Sequence, residues 1–157
     1  MTVTLPDAKY AATLLGMLFD GLTVKPGAKL DLAAGAAAYC AFYVADDGTP
    51  AVCCACNIDF AANAGAALSM LPPGVARDAV RARDLTEVMR GNLHEVMNIC
   101  TRLVVRENAP HLRLSGVVAV GALTPDQAAR LKSARARVDF EIGIPKYGSG
   151  LFAVLSV

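Results

Sequence analysis

The sequence predicts an α+β domain in which helices pack on one side of a mixed, largely antiparallel sheet, giving two layers. Three patterns predict this class. Two short apolar runs, residues 37–45 and 51–58, flank the turn sequence DDGTP, which is typical of a β-hairpin. Residues 84–105 carry apolar side chains at spacings of three and four, which indicates one long amphipathic helix. Residues 137–144 alternate apolar with charged side chains, as a strand with one solvated face does.

Caps and breakers delimit the elements of the N-terminal half. Residues 6–22 predict a first helix with Asp7 as its N-cap. A short strand is expected at residues 29–32, after a Pro-Gly turn. Both runs of the hairpin are apolar on both faces, so we expect them at a central, covered position of the sheet. Two further helices are expected before the long one, at residues 59–71 and 75–81.

The C-terminal half continues the same pattern. A strand at 111–120 follows the long helix, and Thr124 is expected to cap a helix at 125–133. The turn sequence PKYGSG leads into a last strand, 151–157, whose apolar sequence fits either an interior strand or an edge that pairs with a second subunit. Without the short strand at 29–32 and the short connecting helix at 75–81, the element order is α-β-β-α-α-β-(α)-β-β. We find no linker or low-complexity tract and expect one domain, residues 1–157.

Composition narrows the function classes. The chain has 157 residues, of which 55% are hydrophobic and 18% are charged, with a formal net charge of +1. This balance argues against a broad electrostatic surface for nucleic acid, and aromatic residues are too sparse for a base-stacking platform. No apolar stretch reaches the roughly 20 residues of a membrane span, and the N-terminus lacks the basic region of a signal peptide. We therefore expect a cytoplasmic protein with neither a membrane nor a nucleic-acid partner.

The cysteines lie in apolar contexts and are odd in number: Cys40, Cys53, Cys54, Cys56 and Cys100. Neither histidine is near the cluster at the spacing of metal ligands. We expect reduced, buried thiols that fill space, and no metal site. A nucleophilic Cys–His pair would need Cys100, which lies on the buried stripe of its helix, where a thiol is inert.

The long helix has two different stripes. The buried stripe consists of apolar residues: Leu85, Val88, Met89, Leu93, Val96, Met97, Cys100, Leu103 and Val104. The opposite stripe runs through Gly91, Glu95, Asn98 and Arg102. Gly and Asn cost about 1 and 0.5 kcal/mol in a helix interior relative to Ala, so their presence calls for an explanation. Glu95 and Asn98 are three residues apart and can reach one external target together.

Other catalytic signatures are missing, because the sequence has no phosphate-binding loop, GxGxxG, HExxH or GxSxG motif. The YGSG sequence at 147–150 fits a turn between strands better than an anion-binding nest. The E-x-x-N pair of Glu95 and Asn98 is the remaining candidate. On spacing alone, a solvated helix face is the more frequent explanation of such a pair, so the residues by themselves leave both interpretations open.

The chain as a whole resembles the CheC/CheX/FliY-type chemotaxis phosphatase family, in particular its CheX-like branch. The resemblance is carried by the N-terminal helix, the hairpin YCAFYVADDGTPAVCCACNI with the small-residue helix after it, and the closing sequence VDFEIGIPKYGSGLFAVLSV. The helix with the sequence NLHEVMNICTRL matches the E-x-x-N helix of that family. The resemblance implies a CheC/CheX-like fold and a hydrolase of two-component signalling.

The resemblance also implies roles for individual residues. Asn98 would hold the attacking water in line with the aspartyl phosphate of a phosphorylated CheY-type receiver domain. Glu95 would pair with the active-site lysine of that receiver, and Gly91, Asn92 and Arg102 would lie in the partner-binding surface. The receiver would supply Mg²⁺, so the chain would need no cofactor or metal of its own. A homodimer is implied as well.

Two positions depart from the family pattern. Gly91 stands where the family has Asp or Ser, and Gly121 stands where it has Pro. The E-x-x-N sequence occurs once, and residues 59–71 offer only Asp59 and Asn63, at the wrong spacing for a second site. Three hypotheses remain open. The chain is a response-regulator phosphatase, a catalytically inactive CheX-like binding and signalling module, or a domain of this fold with no link to receivers.

Overall fold

A computed structural model describes residues 3–105 and 111–157 of the chain. The helices are α1 (Ala8–Leu15), α2 (Ile58–Leu68), α3 (Pro73–Ala82), α4 (Glu87–Ile99), α5 (Thr101–Val104) and α6 (Pro125–Lys132). The strands are β1 (Thr23–Pro26), β2 (Ala38–Val44), β3 (Pro50–Asn57), β4 (Arg113–Ala119), β5 (Ala136–Ile144) and β6 (Gly148–Ser156). A 3₁₀ turn, Val120–Ala122, follows β4. Within the described ranges, no helix is long and apolar enough to cross a membrane.

The strands form one six-stranded sheet in the order β1-β5-β6-β3-β2-β4. Each of its pairings is antiparallel among the residues that the structure describes. The predicted α+β class is confirmed, with these pairings antiparallel throughout. The hairpin of β2 and β3 is interior and buried on both faces, as its apolar sequence predicts. Strand β6 is also interior, because it pairs with β5 on one side and β3 on the other.

Each face of the sheet carries its own layer. Helices α1 to α5 cover the first face over a large apolar core that includes Phe60, Met89 and Phe152. The second face is covered by residues 30–36, the 3₁₀ turn and α6, over a smaller apolar cluster. Helix α6 buries no residue completely, so this second cover is shallow.

The predicted N-caps are confirmed. Asp7 Oδ1 accepts from the Tyr10 amide at 2.7 Å, which caps α1. Thr124 and Gln127 form a reciprocal capping box at the start of α6, with hydrogen bonds of 3.1 and 3.0 Å. Helix α4 begins after Thr86, whose hydroxyl accepts from the amide of its third residue.

Several predicted boundaries are wrong, and the causes are local. Residues 29–32 form no strand, because the strand that pairs with β5 comes earlier, at Thr23–Pro26. Helix α1 ends at Leu15, well before residue 22, since Gly16 is a poor helix former. Strand β6 begins at Gly148 and therefore includes glycines that were predicted to form a turn.

Two glycines permit close contacts of α2. A Cβ atom at Gly65 would lie 3.0 Å from the Met89 carbonyl oxygen, so the glycine lets α4 approach α2 closely. A Cβ atom at Gly150 would lie 2.3 Å from the Phe60 nitrogen, so that glycine lets β6 lie directly under α2. A larger residue at either position would force packed elements apart.

All five cysteines are free and buried, as predicted. Burial raises the pKa of the Cys54 thiol from 9.0 to about 12. Burial also raises the pKa values of Cys53, Cys56 and Cys100 well above 9.0. The predicted burial of Cys100 is confirmed, and a buried thiol that stays protonated is a poor nucleophile.

We expect the stability of the fold to decrease in alkaline solution. The unfolded chain releases the Cys54 proton near pH 9.0, whereas the folded chain retains it up to about 12. A folded pKa above the unfolded one stabilises the fold below the unfolded pKa, and this contribution is lost as the pH rises towards the folded pKa. The free energy of unfolding in urea, measured with reductant from about pH 8 to about pH 10.5, should therefore fall steadily.

The matched control for this prediction is Cys54→Ala, which removes one of the titrating thiols. Its unfolding free energy should fall less steeply over the same pH range than that of the wild type. Equal slopes for the two proteins would contradict the assignment of the effect to this buried thiol.

Candidate functional site

The two catalytic candidates lie on the solvent-facing side of α4. Glu95 and Asn98 are exposed, whereas Leu93, Val96 and Met97 on the same helix are buried. Neither candidate side chain has a hydrogen bond or ion pair with another residue in the described parts of the chain. Since the two are one turn apart, the carboxylate and the carboxamide project in the same direction and are available to an external partner.

Two tyrosines hold the C-terminal end of the helix that carries this pair. Tyr43 Oη, deep in the core, donates to the Met97 carbonyl at 2.5 Å. The predicted long helix is divided here into α4 and α5, with Cys100 as the turn residue between them. In α5, the Arg102 carbonyl accepts a hydrogen bond from Tyr10 Oη at 2.9 Å. The backbone beneath the exposed pair is therefore fixed to both the sheet and α1.

Asn92, predicted to bind a partner, forms hydrogen bonds within the fold. Its Nδ2 donates to the Gly65 carbonyl at 2.8 Å and to the Ser69 hydroxyl at 2.7 Å. These bonds join the middle of α4 to the C-terminal half of α2. Both hydrogens of the amide are used in this way, and the contact of Asn92 with a partner stays a prediction.

The structure brings one of the two unusual glycines to the site and not the other. Gly91 is exposed one turn before Glu95, and a Cβ atom there would have no atom within 4 Å. Gly121 lies in the 3₁₀ turn, where a Cβ atom would be 3.8 Å from the Ala34 carbonyl oxygen, in the cover of the second face. Arg102, also predicted to contact a partner, is exposed on α5. The departure at Gly121 therefore does not alter the surface around Glu95.

Val88, predicted to lie on the buried stripe, is instead 56% exposed. The other members of that predicted stripe are buried, so they fill the face of the helix that packs on the core. Val88 precedes Gly91 by three residues and Glu95 by seven, the spacing of one helical face. It therefore extends the exposed stripe towards the start of α4. Val88 is also three residues after the buried Leu85, so spacing alone fits it to either stripe and does not place it.

A second exposed apolar side chain lies at the end of α2. Met70 is 88% exposed, and its backbone φ of 55° is in the left-handed region that favours glycine. It directly follows Ser69, whose hydroxyl accepts the hydrogen bond from Asn92. Met70 is therefore one residue from the contact that joins α2 to α4. Neither burial nor backbone preference accounts for a methionine at this position.

A small cleft of about 270 Å³ lies on one flank of α4. Tyr39, Asp84, Arg90 and His94 are among its lining residues. Arg90 Nη2 donates to Asp84 Oδ1 at 2.7 Å, and this hydrogen bond lowers the pKa of Asp84. Since His94 directly precedes Glu95, the cleft adjoins the candidate pair. It is a recess on the surface beside the exposed pair.

The described residues provide neither a second site of this kind nor a metal cluster. On α2, Asn63 is buried and Asp59 is half-buried, so the pair does not form a second exposed site. In residues 3–105 and 111–157, no group of three or more His, Cys, Asp or Glu residues could hold a metal ion.

The exposed pair has a defined chemistry. A carboxamide both donates and accepts hydrogen bonds, so Asn98 can orient a water molecule. An ionised carboxylate accepts hydrogen bonds and donates none, so Glu95 can pair with an ammonium group of a partner. Both groups act by positioning and charge, and neither needs a covalent intermediate on this chain.

One solved structure shares the architecture of this chain. The crystal structure of FliY from Thermotoga maritima has a TM-score of 0.53 and 13% identity, covering 94% of this chain and 82% of the FliY chain. The chain has the CheC/CheX/FliY-type fold. At this identity the likeness establishes the fold alone.

A second structure is similar at a lower level. It is the complex of CheX with CheY, BeF3 and Mg²⁺ from Borrelia burgdorferi, with a TM-score of 0.43 and 11% identity, covering 93% of this chain and 91% of the other. The fold assignment therefore depends on FliY. No protein-family model matches the sequence, and no curated protein matches it either.

Within this CheC/CheX/FliY-type fold, we expect Tyr43→Phe to loosen α4. The substitution leaves the Met97 carbonyl without its donor, which should lower the free energy of unfolding by about 1–2 kcal/mol. Amide hydrogen exchange should become faster in the last turn of α4. The control is Tyr147→Phe, which removes a hydrogen bond of 2.6 Å to the Leu71 carbonyl. If both variants changed exchange in α4 equally, the anchoring role of Tyr43 would be wrong.

Proposed function

We propose that this chain dephosphorylates the phosphorylated receiver domain of a CheY-type response regulator in two-component signalling. The single observation that carries the proposal is the exposed pair of Glu95 and Asn98, which has no partner among the described residues and lies on one face of α4. The FliY-type fold and the resemblance of the E-x-x-N helix support the same activity. An exposed helix face suits a phosphoryl group held by another protein, whereas enzymes that act on small molecules use concave pockets.

The proposed reaction is hydrolysis of an aspartyl phosphate. The Asn98 carboxamide holds a water molecule on the side of phosphorus opposite the aspartyl oxygen. The water oxygen bonds to phosphorus as the bond to the aspartyl oxygen breaks, which gives inorganic phosphate and the free carboxylate. Phosphoryl transfer of this kind needs positioning and charge neutralisation more than covalent help, and a carboxamide on a rigid helix supplies the positioning.

Glu95 has a separate role in this proposal. Its carboxylate pairs with the ammonium group of the receiver's active-site lysine and so aligns α4 across the phosphorylated aspartate. The receiver contributes Mg²⁺, and this chain contributes no metal ligand. Gly91 and Arg102 belong to the same contact surface, with Gly91 allowing the partner's backbone to approach α4 closely.

Release of inorganic phosphate from a phosphorylated receiver domain of the source organism tests the proposal. Wild-type protein should accelerate release, and Asn98→Ala should reduce the acceleration about 100-fold or more, because a positioned hydrogen-bonding group is lost. The free energy of unfolding should change by no more than about 0.5 kcal/mol, since the side chain is exposed.

Asp20→Ala is the matched control, because Asp20 is an exposed acidic residue that follows α1 and does not lie on α4. It should leave phosphate release unchanged, whereas Glu95→Ala should slow it. Full activity of Asn98→Ala, or its unfolding at low denaturant, would rule out the assigned role. No acceleration by wild type with any of the organism's receivers would overturn the catalytic proposal.

We expect Val88 to contribute apolar contact to docking. Val88→Ala should weaken binding to a receiver that carries a beryllium fluoride phosphate mimic about fivefold, which corresponds to about 1 kcal/mol of lost apolar burial. The turnover rate at saturating receiver should stay the same, because Val88 is two turns from Glu95. Met17→Ala is the control, since Met17 is 70% exposed but follows α1. Equal effects of the two substitutions would contradict a docking surface centred on α4.

The alternative function is a catalytically inactive binding and signalling module of the same fold. Gly91 favours it, because the family pattern has a polar side chain at that position. This function predicts binding of the receiver with the mimic but no release of phosphate. A homodimer is part of both proposals. The strand edges available for pairing are those of β1 and β4, because β6 is interior.

A further inference from the structure

The second face of the sheet carries a cleft that the proposed function does not use. Its volume is about 710 Å³, within the roughly 300–1,000 Å³ typical of sites for small molecules. It lies between residues 29–34, the 3₁₀ turn and α6, on the face opposite to α4. Most of its lining is aliphatic, with the largest apolar side chains being Leu30, Leu32, Val120, Leu123 and Leu131.

The charged groups of the cleft are mainly cationic. Lys29, Lys132 and Arg137 line it with the acidic residue Asp31, and because Arg137 is paired with Asp139, the two lysines supply most of the excess positive charge. The two lysines are exposed and form no ion pair with a described residue. Asp31 is partly engaged, because its Oδ1 accepts from the Ala33 amide at 2.9 Å. The cleft therefore favours an anionic group over a neutral or cationic one.

Arg137 is held in a fixed orientation with one amine unused. Its Nε and Nη2 donate to the two oxygens of Asp139 at 2.9 and 2.7 Å, and Nη2 also donates to the Leu30 carbonyl at 3.2 Å. Asp139 Oδ2 in turn accepts from the Leu30 amide at 2.8 Å. The remaining amine, Nη1, has no hydrogen-bond partner in the described part of the chain. A half-buried guanidinium with two free donors is suited to an anionic oxygen.

The apolar lining restricts the rest of the ligand. Among residues 3–105 and 111–157, no aromatic side chain lines the cleft, so a nucleobase or other flat ring would have no surface on which to stack. Leucine, valine and alanine side chains instead suit a flexible aliphatic chain. We propose that this cleft binds a small amphiphile with an anionic head and an aliphatic body. The head pairs with Arg137 and the two lysines, and the body lies along α6.

Carboxylate and phosphate heads share this chemistry, so both are tested. Decanoate, decyl phosphate and decan-1-ol are titrated separately into the full chain, below the concentrations at which they form micelles, and amide chemical shifts are followed by NMR. Saturable shifts confined to residues 29–34, 120–123 and 128–132 are expected for at least one of the two anions. The affinity of that anion should exceed that of decan-1-ol at least about tenfold.

Chain length provides an independent readout of the aliphatic lining. Each CH₂ group that enters the cleft should strengthen binding up to about fourfold, so decanoate should bind roughly tenfold more tightly than octanoate. Ala128→Phe should abolish binding of all probes, because Ala128 lines the cleft and a ring there would occupy it. The substitution leaves the charge of the protein unchanged, so a loss of binding would show that the ring occupies the cleft and would not reflect altered electrostatics.

The double substitution of Lys29→Ala and Lys132→Ala should weaken anion binding about tenfold and leave binding of decan-1-ol unchanged. Lys9→Ala, an exposed lysine of α1 on the other face, is the charge control and should have no effect. Equal affinity for decan-1-ol and both anions, or no effect of the double substitution, would overturn the proposal. Binding only to vesicles of anionic lipid, without binding of the soluble probes, would overturn it too.

Discussion

The buried hydrogen bond between Tyr43 and the Met97 carbonyl is the contact on which the candidate site depends. It connects the central hairpin of the sheet to the turn of α4 that carries Asn98. In a core of low dielectric constant such a bond is strong, and an unpaired carbonyl is costly. Because burial keeps Tyr43 protonated, the donor is present over the whole physiological range of pH. The exposed pair is thus supported from beneath by a residue that solvent never reaches.

The dense packing of the first face follows from small residues. The alanine and cysteine side chains along the hairpin and α2 are short and keep the packed layers close together. Helix α4 approaches α2 at Gly65, and β6 approaches α2 at Gly150. The second face is built differently, with a shallow cover that leaves an open cleft. One sheet therefore carries a closely packed helical layer on one face and a shallow cover with an open cleft on the other.

Sequence alone predicted those features that depend on near neighbours. The hairpin, the caps at Asp7 and Thr124, and the exposure of Glu95 and Asn98 follow from local turn chemistry and helical spacing. Features set by distant contacts were not predicted. The long helix divides at Cys100, three residues after Met97, whose carbonyl accepts a hydrogen bond from a tyrosine 54 residues earlier.

The second-face cleft and the position of Val88 illustrate the same limit. Arg137 and Asp139 are near neighbours in sequence, so their salt bridge is local. The hydrogen bond from the Leu30 amide to Asp139 joins residues that are 109 positions apart, and no periodic pattern in the sequence indicates this contact. Val88 fits two helical faces by spacing, and only the packing of α4 on α2 decides between them. Gly121 stands at a position of the family pattern, yet it lies in the cover of the second face and not beside Glu95 and Asn98.

The open surroundings of Gly91 make this position useful in a different way. A Cβ atom there would touch nothing, and almost any residue other than proline is a better helix former than glycine. All five native thiols are buried, so Gly91→Cys would give the protein a single exposed thiol, one turn from Glu95. A fluorophore or photo-crosslinker attached to that thiol would react to whatever molecule approaches α4. The signal of the attached label would then detect molecules that bind to this turn of α4.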